Sequence, residues 1–140
     1  MGGPAPKFDP ARGHRGKSGP MKLPSEGRKG PTPEWPLIEK QTAREREAWE
    51  ALWRTPQSVA WETLGWTRSV ARYCRVMLEA EKRGAPAMTR AECRQMEDRL
   101  GLSPKSMRML LWEIVENEID DRRQSASEKA QDVRNRIKAV

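Results

Sequence analysis

The stretch from Leu100 to Ile119 constrains the fold of this 140-residue chain more than any other. It opens with a glycine turn, a serine suited to cap a helix, and Pro104 at the first helical position. Apolar residues then recur every three or four positions, which places them on one helical face. They are Met107, Leu110, Leu111, Ile114, Val115 and Ile119. The pattern predicts an amphipathic helix from Ser103 to Ile119, on which the rest of a core packs.

Similar patterns predict the rest of an all-α fold. Helices are expected at 39–54, 56–64 and 67–83, and a capping box at Thr89 predicts the start of a shorter one that ends at Gly101. An apolar content of 36% and a mean hydropathy of −0.92 indicate a small core. We expect a helical domain of four to five helices at 35–120. A flexible basic arm at 1–34 precedes it, and a polar, marginally helical tail at 121–140 follows it.

Positive charge is concentrated at the two ends of the chain. Residues 1–30 hold seven Lys or Arg against two Asp or Glu, and residues 121–140 hold six against three. Such ends are typical of a protein that binds a polyanion, because phosphate contact releases counterions without requiring a rigid fold. The alternative is that charged ends only keep a small domain soluble. The phosphate contacts predicted in the arm are Arg12, Arg15, Lys17, Arg28 and Lys29.

The region 89–116 has the order of a helix-turn-helix motif. Its second helix carries Lys105 and Arg108 in the first turns, where a recognition helix meets base edges and phosphates. These two residues are the predicted ordered DNA contacts. The alternative interpretation is an ordinary helical hairpin with solvated charges.

The chain contains six tryptophans but only one Phe and one Tyr. Neighbouring arginines would allow the indoles to stack on bases, yet a role in the core and in interfaces fits such large apolar groups better. Trp112 and Met109 lie off the apolar stripe of the predicted helix. We therefore predict that these two residues form an oligomer interface.

Several classes of function find no support in the sequence. His14, the only histidine, lies in the arm, so neither a Ser/His/Asp triad nor a histidine-rich metal site is expected. The GHRGKS segment lacks the spacing of a phosphate loop. No apolar run is long enough to span a membrane, no signal peptide is evident, and Cys74 and Cys93 form no close-spaced motif. The chain is predicted to be a non-enzyme without cofactor or metal, acting in the cytoplasm.

Four features in this order resemble one known family. They are MGGPAPK at the N-terminus, LPSEGRKGPTPEWP at 23–36, a tryptophan-rich middle, and LGLSPKSMR at 100–108. Together they resemble the small terminase subunit of tailed bacteriophages, in the form found in phages of actinobacteria. The resemblance implies a non-catalytic DNA-packaging protein in the host cytoplasm, which assembles into a ring and binds double-stranded viral DNA at the packaging start. It also implies that the protein recruits and regulates the large terminase subunit, which carries the ATPase and nuclease.

Two other functions remain open at this stage. A helix-turn-helix transcriptional regulator would form dimers on a short palindromic site. A protein-interaction adaptor would use its charged ends for an acidic protein and would show no DNA affinity even at low salt.

Overall fold

Six helices and two short strands make up the part of the chain that the structure describes. This computed structural model describes residues 19–116 and 118–138. In chain order the elements are β1 (Met21–Pro24), α1 (Ala43–Leu52), α2 (Gln57–Leu64), α3 (Thr67–Ala80), α4 (Ala87–Arg99), α5 (Pro104–Met109), β2 (Trp112–Val115) and α6 (Glu118–Lys138). Five helices lie between residues 43 and 109, which confirms the predicted helical fold. The small sheet was not predicted.

Side-chain caps and a glycine define the helix ends around the core. At the start of α1, the Thr42 hydroxyl accepts from Glu45 N at 3.2 Å, and the Glu45 carboxylate accepts from Thr42 N at 2.8 Å. Gly65 ends α2 in the left-handed region, with φ of 71°. Because α4 begins at Ala87 without a side-chain cap, the capping box predicted at Thr89 is wrong.

The core is built on a row of tryptophans. Trp35, Trp49, Trp53 and Trp61 follow one another edge to face, with ring centroids 5.1, 5.4 and 5.8 Å apart. Each such pair contributes about 0.5–1.5 kcal/mol beyond the burial of its surface. The indole N–H groups of Trp49 and Trp61 donate to the carbonyls of Pro33 and Leu100. Trp49, Trp53 and Trp61 are buried, so they hold the helices together and are not available to stack on bases.

The long amphipathic helix predicted from Ser103 to Ile119 is wrong beyond Met109. Leu111 takes a positive φ of 57°, and the chain then continues as β2, parallel to β1. Met21 is paired with Trp112 and Leu23 with Ile114. A run rich in Leu, Ile and Val suits a buried strand as well as a helix, and its periodicity does not show that a partner strand exists.

The turn between α4 and α5 fits closely around Trp112. Gly101 has φ of 73°, and a Cβ atom added there would lie 2.2 Å from the Trp112 ring. The Trp112 ring lies 6.0 Å from that of Trp66, and its side chain is 7% exposed. The close contact requires glycine, so the turn between α4 and α5 and the core stabilise each other.

Residues 21–34 differ from the flexible arm that was predicted there. Leu23 is fully buried, and Gly27 lies so close to the Arg54 carbonyl that an added Cβ atom would be 2.3 Å from its oxygen. Pro33 accepts the Trp49 hydrogen bond. Met21 and Leu23 supply the apolar side chains with which β1 packs on the core, so residues 21–34 belong to the folded domain that was predicted to begin at residue 35.

Candidate nucleic-acid interface

The elements α2 and α3 form a short helix, a glycine turn and a longer helix. Gly65 N and Trp66 N donate to the carbonyls of Glu62 and Trp61, which closes the turn. The second helix then runs for 14 residues. Arg68 and Arg72 lie one turn apart on its exposed surface. Sequence reasoning missed this pair, although Gly65 after a short helix and two arginines four residues apart were available signals.

The elements α4 and α5 have the order that the sequence predicted, but the second helix is short. The Ser103 hydroxyl accepts from Ser106 N at 3.2 Å and donates to the Asp98 carboxylate at 2.7 Å, so the predicted N-cap is confirmed. The helix spans only six residues. Lys105 and Arg108 are both exposed on it. A six-residue helix presents two cations but offers little length for reading a DNA groove.

Two adjoining grooves connect these helices. The first, of about 400 Å³, lies between α3 and α4 and is lined by Arg72, Arg99 and the Trp66 ring. The second, of about 380 Å³, lies between α4 and α5 and is lined by Arg99 and Lys105. Because Arg99 borders both, cations of three helices line neighbouring grooves. Arg68 and Arg108 border neither groove but lie one helical turn from Arg72 and Lys105. We call this set the basic face; its members are Arg68, Arg72, Arg99, Lys105 and Arg108.

The cations of the basic face form no ion pairs among the described residues, although Glu92 and Asp98 line the same two grooves. Among the ion pairs within residues 19–116 and 118–138, none includes a member of the basic face. By contrast, Arg75 lies 5.3 Å from the Trp35 ring centroid and pairs with Glu39 and Glu45. Unpaired, exposed guanidinium and ammonium groups are free to bind phosphate.

Arg28 was predicted to contact phosphate, but the structure holds it inside the fold. Its side chain is 11% exposed, and its guanidinium carbon lies 5.7 Å from the Trp53 ring centroid. Nη2 donates to Glu62 at 2.9 Å, and Nη1 donates to the Pro31 carbonyl at 2.6 Å. Nε lies 2.9 Å from the other Glu62 oxygen, an ion-pair contact outside hydrogen-bond geometry. We therefore assign Arg28 a structural role.

The other predicted contact residues are placed in different ways. Lys29 is exposed, whereas Arg12, Arg15 and Lys17 lie outside the described residues, as does His14. Of the predicted oligomer contacts, Met109 is 76% exposed. Trp112 is buried in the core because β2 turns it inward, so it presents no surface to a second subunit.

The two thiols lie in the core. Burial raises the pKa of Cys74 to about 11, and burial together with the neighbouring Glu97 raises the pKa of Cys93 to about 11. Burial and Glu97 also raise the pKa of Tyr73, whose hydroxyl donates to Glu97 at 3.0 Å. Thiols with raised pKa values are poor nucleophiles at neutral pH, so we assign Cys74 and Cys93 a packing role. No cluster of His, Cys, Asp and Glu within the described ranges is suited to hold a metal ion.

Comparison with known families gives one match, which covers nearly the whole chain. The family model described as phage terminase small subunit matches residues 1–138. The chain belongs to the phage terminase small subunit family. No curated protein and no solved structure gives a significant match.

Membership in this family defines the role of the chain. Terminase small subunits are generally non-catalytic components of phage DNA packaging, with DNA and the large terminase subunit as partners. This small subunit is therefore a phage protein that acts in the host cell. None of the described helices is long and apolar enough to cross a membrane.

Proposed function

We propose that this terminase small subunit contacts the backbone of duplex DNA through the basic face when it marks the start of packaging. The observation that supports the proposal is the continuity of Arg72, Arg99 and Lys105 along two adjoining grooves, with no ion pair among the described residues. Each phosphate that such a side chain neutralises releases a counterion, so binding will be strongly salt-dependent.

Cations near the N-terminus would add further phosphate contacts. They are Arg12, Arg15, Lys17 and the exposed Lys29, and each phosphate that they neutralise would release a counterion. Removing residues 1–18 tests the contribution of Arg12, Arg15 and Lys17 and leaves β1 intact. We expect weaker DNA binding and a smaller salt dependence, and an unchanged salt slope would remove these residues from the mechanism.

A double variant, Arg99→Gln with Lys105→Gln, tests the basic face itself. Each lost phosphate contact lowers the slope of log affinity against log salt by about 0.9. We expect the slope to fall by nearly two such steps, measured by fluorescence anisotropy on a duplex that contains the packaging start. Arg94→Gln is the matched control, because Arg94 is exposed on α4 but borders neither groove. If the control lowers the slope by as much as the double variant does, DNA binding depends on general surface charge and not on the basic face.

We also propose that the subunit assembles into a ring in the host cytoplasm, and that it is of the type found in phages of actinobacteria. Exposed Met109 and Leu111, at 76% and 63%, supply apolar surface near the α5–β2 turn for a neighbouring subunit. Native mass spectrometry with and without DNA measures the stoichiometry. A closed ring of more than two copies is expected. A stable dimer would instead favour the arrangement of a transcriptional regulator.

A further inference from the structure

The groove between α3 and α4 contains a tryptophan that the core does not fully enclose. Trp66 is half-buried and lines the groove, whereas Trp49, Trp53 and Trp61 are buried. Its indole N–H makes no hydrogen bond within the described residues, while those of Trp49 and Trp61 donate to backbone carbonyls. The buried Trp112 ring lies 6.0 Å from it. Trp66 therefore offers the groove an aromatic surface that the core supports, together with an available donor.

Apolar side chains line the groove beside this indole. The helix α3 contributes Val76, and α4 contributes Met96, with Leu100 at its end. Val76 and Met96 are half-buried. The volume of about 400 Å³ lies within the range of small-molecule sites. An aromatic ring, a thioether and aliphatic walls favour a flat apolar group as the occupant.

The charges in the groove are distributed unevenly along it. Residues 81–86 join α3 to α4, and the two packed helices run in roughly opposite directions. Glu92 lies nearer to this loop, while Trp66 and Arg99 lie at the other end and Arg72 lies between them. Neither arginine has an ion pair among the described residues. Two guanidinium groups can therefore hold an anion beside the indole, and a carboxylate repels the anion from the far end.

An aromatic group joined to a phosphate matches this arrangement, and a nucleotide is such a group. A base stacks on an aromatic side chain through its flat face, and a phosphate binds guanidinium groups. In duplex DNA the faces of each base are covered by its neighbours in the stack, so a paired base cannot lie on Trp66. An acidic peptide supplies the charge but not the flat face. The groove therefore fits a nucleotide whose base lies outside the stack.

We propose that the groove between α3 and α4 binds an unpaired nucleotide, with its base on Trp66 and its phosphate between Arg72 and Arg99. This site rests on the proposed function, since both arginines belong to the basic face, and it extends backbone contact to recognition of a base. A free nucleotide and an unpaired nucleotide in DNA share this chemistry. The neighbouring phosphates of DNA would also meet Lys105 in the adjoining groove, so we expect DNA to bind more tightly.

Three duplexes of one sequence test the site with the full-length protein. The first is fully paired, the second carries a single bulged deoxyadenosine, and the third carries an abasic residue in the same bulge. We expect the bulged base to raise affinity about tenfold over the paired duplex, measured by fluorescence anisotropy, because stacking of a base on an aromatic side chain is of that order. The abasic bulge keeps the flexibility and the phosphate but has no base, so it should bind like the paired duplex.

Two variants remove the base site by different routes. Trp66→Ala removes the stacking surface, and Ser69→Leu fills part of the groove from α3 with a good helix former. Both should lose the preference for the bulged base and keep the affinity for the paired duplex. Circular dichroism checks that each variant is folded. If loss of the contact with Trp112 unfolds the first variant, the second decides the outcome.

Gln95→Leu is the matched control for Ser69→Leu. Gln95 is exposed on α4 and borders neither groove, so the same kind of substitution there should keep the tenfold preference. A loss of preference in this control equal to that in Ser69→Leu would contradict the placement of the base in the groove.

A competition experiment distinguishes the two sources of the nucleotide. We expect 2′-deoxyadenosine 5′-monophosphate to displace the bulged duplex only at concentrations far above those of the unlabelled duplex itself, which supports DNA as the source. Displacement at similar concentrations would support the site and assign it to a free nucleotide. Displacement by an oligoglutamate peptide as effective as that by the unlabelled bulged duplex would overturn the proposal in favour of an acidic protein segment.

Three further results would overturn the proposal. Equal affinity of the wild-type protein for all three duplexes means that the groove binds no base. Tight binding of the abasic bulge means that flexibility of the DNA, and not a base, is recognised. A preference that persists in both Trp66→Ala and Ser69→Leu places the base elsewhere. The salt slope of Arg99→Gln with Lys105→Gln on the paired duplex tests the basic face separately, so a failure of one is distinguishable from a failure of the other.

Discussion

Two sets of cations around the tryptophan core have different surroundings. Arg28 and Arg75 each lie near an indole ring and pair with glutamates, which ties residues 21–42 to the helices. Arg72, Arg99 and Lys105 lie along open grooves, and none pairs with an acid among the described residues. The same residue type therefore stabilises the fold in one set and remains exposed and without an ion pair in the other. Sequence charge alone does not separate the two roles.

The largest effect on stability is expected in the tryptophan core. Trp61→Ala should lower the free energy of unfolding by about 3–5 kcal/mol, because the indole is fully buried and donates to the Leu100 carbonyl. Chemical denaturation followed by circular dichroism measures the loss. Ile38→Ala is the control, since Ile38 is 99% exposed and should change stability by less than about 0.5 kcal/mol. Equal losses would mean that the tryptophan row is not the core.

Gly101 lies in the turn between α4 and α5, directly against the buried Trp112 ring. Gly101→Ala should cost about 1–3 kcal/mol through the clash with the Trp112 ring, in addition to the strain of a positive φ. Gly65→Ala shares the positive φ but meets nothing within 4 Å, so it measures the strain alone. The difference between the two unfolding free energies isolates the clash. If the difference is near zero, Trp112 does not pack as described.

The capping network at Ser103 lies at the start of α5, and its loss should have a smaller effect on stability. Ser103→Ala removes an N-cap and the bond to Asp98, which should cost about 1 kcal/mol. Because Lys105 lies on the helix that this cap begins, DNA affinity should fall slightly as well. Thermal unfolding measures the change in stability, and DNA titration on the same preparation measures the change in affinity. A loss of stability with unchanged DNA affinity would separate α5 from the interface.

The buried thiols should make stability sensitive to high pH. The folded pKa of Cys74, about 11, lies above the usual thiol value of about 9. A group whose folded pKa is raised contributes stability that is complete below the unfolded pKa and is lost as the pH rises through the folded one. We therefore expect stability to fall between about pH 9 and pH 11. Cys74→Ala should reduce that fall, and an unchanged pH profile would contradict the burial.

Much of the fold was predictable because local signals agreed with it. The region from residue 67 to residue 80 had a clear apolar face, and Ser103 with Pro104 marked a helix start that the structure confirms. The end of that helix was not predictable, since Ile114 and Val115 suit either a helix or a strand. Only the presence of β1, ninety residues earlier in the chain, decides between them.

The candidate site was harder to predict from the sequence. Lys105 and Arg108 were predicted as DNA contacts from their position at the start of a helix, but Arg72 and Arg99 lie on different helices that meet only in the folded chain. The role of Arg28 was misjudged for the same reason. Its partners, Trp53 and Glu62, lie 25 and 34 residues away, and flanking glycines and prolines made the segment look unstructured.

Two matched variants, Arg28→Gln and Arg72→Gln, test the difference between the two sets of cations most directly. Each variant is assayed for its unfolding free energy and for the slope of log DNA affinity against log salt concentration. Arg28→Gln should cost about 1–3 kcal/mol of stability, because it breaks charge-assisted bonds at a mostly buried side chain, and should leave the slope unchanged. Arg72→Gln should leave stability within about 0.5 kcal/mol and lower the slope by about 0.9. The reverse pattern, or the same pattern in both variants, would contradict the division of roles.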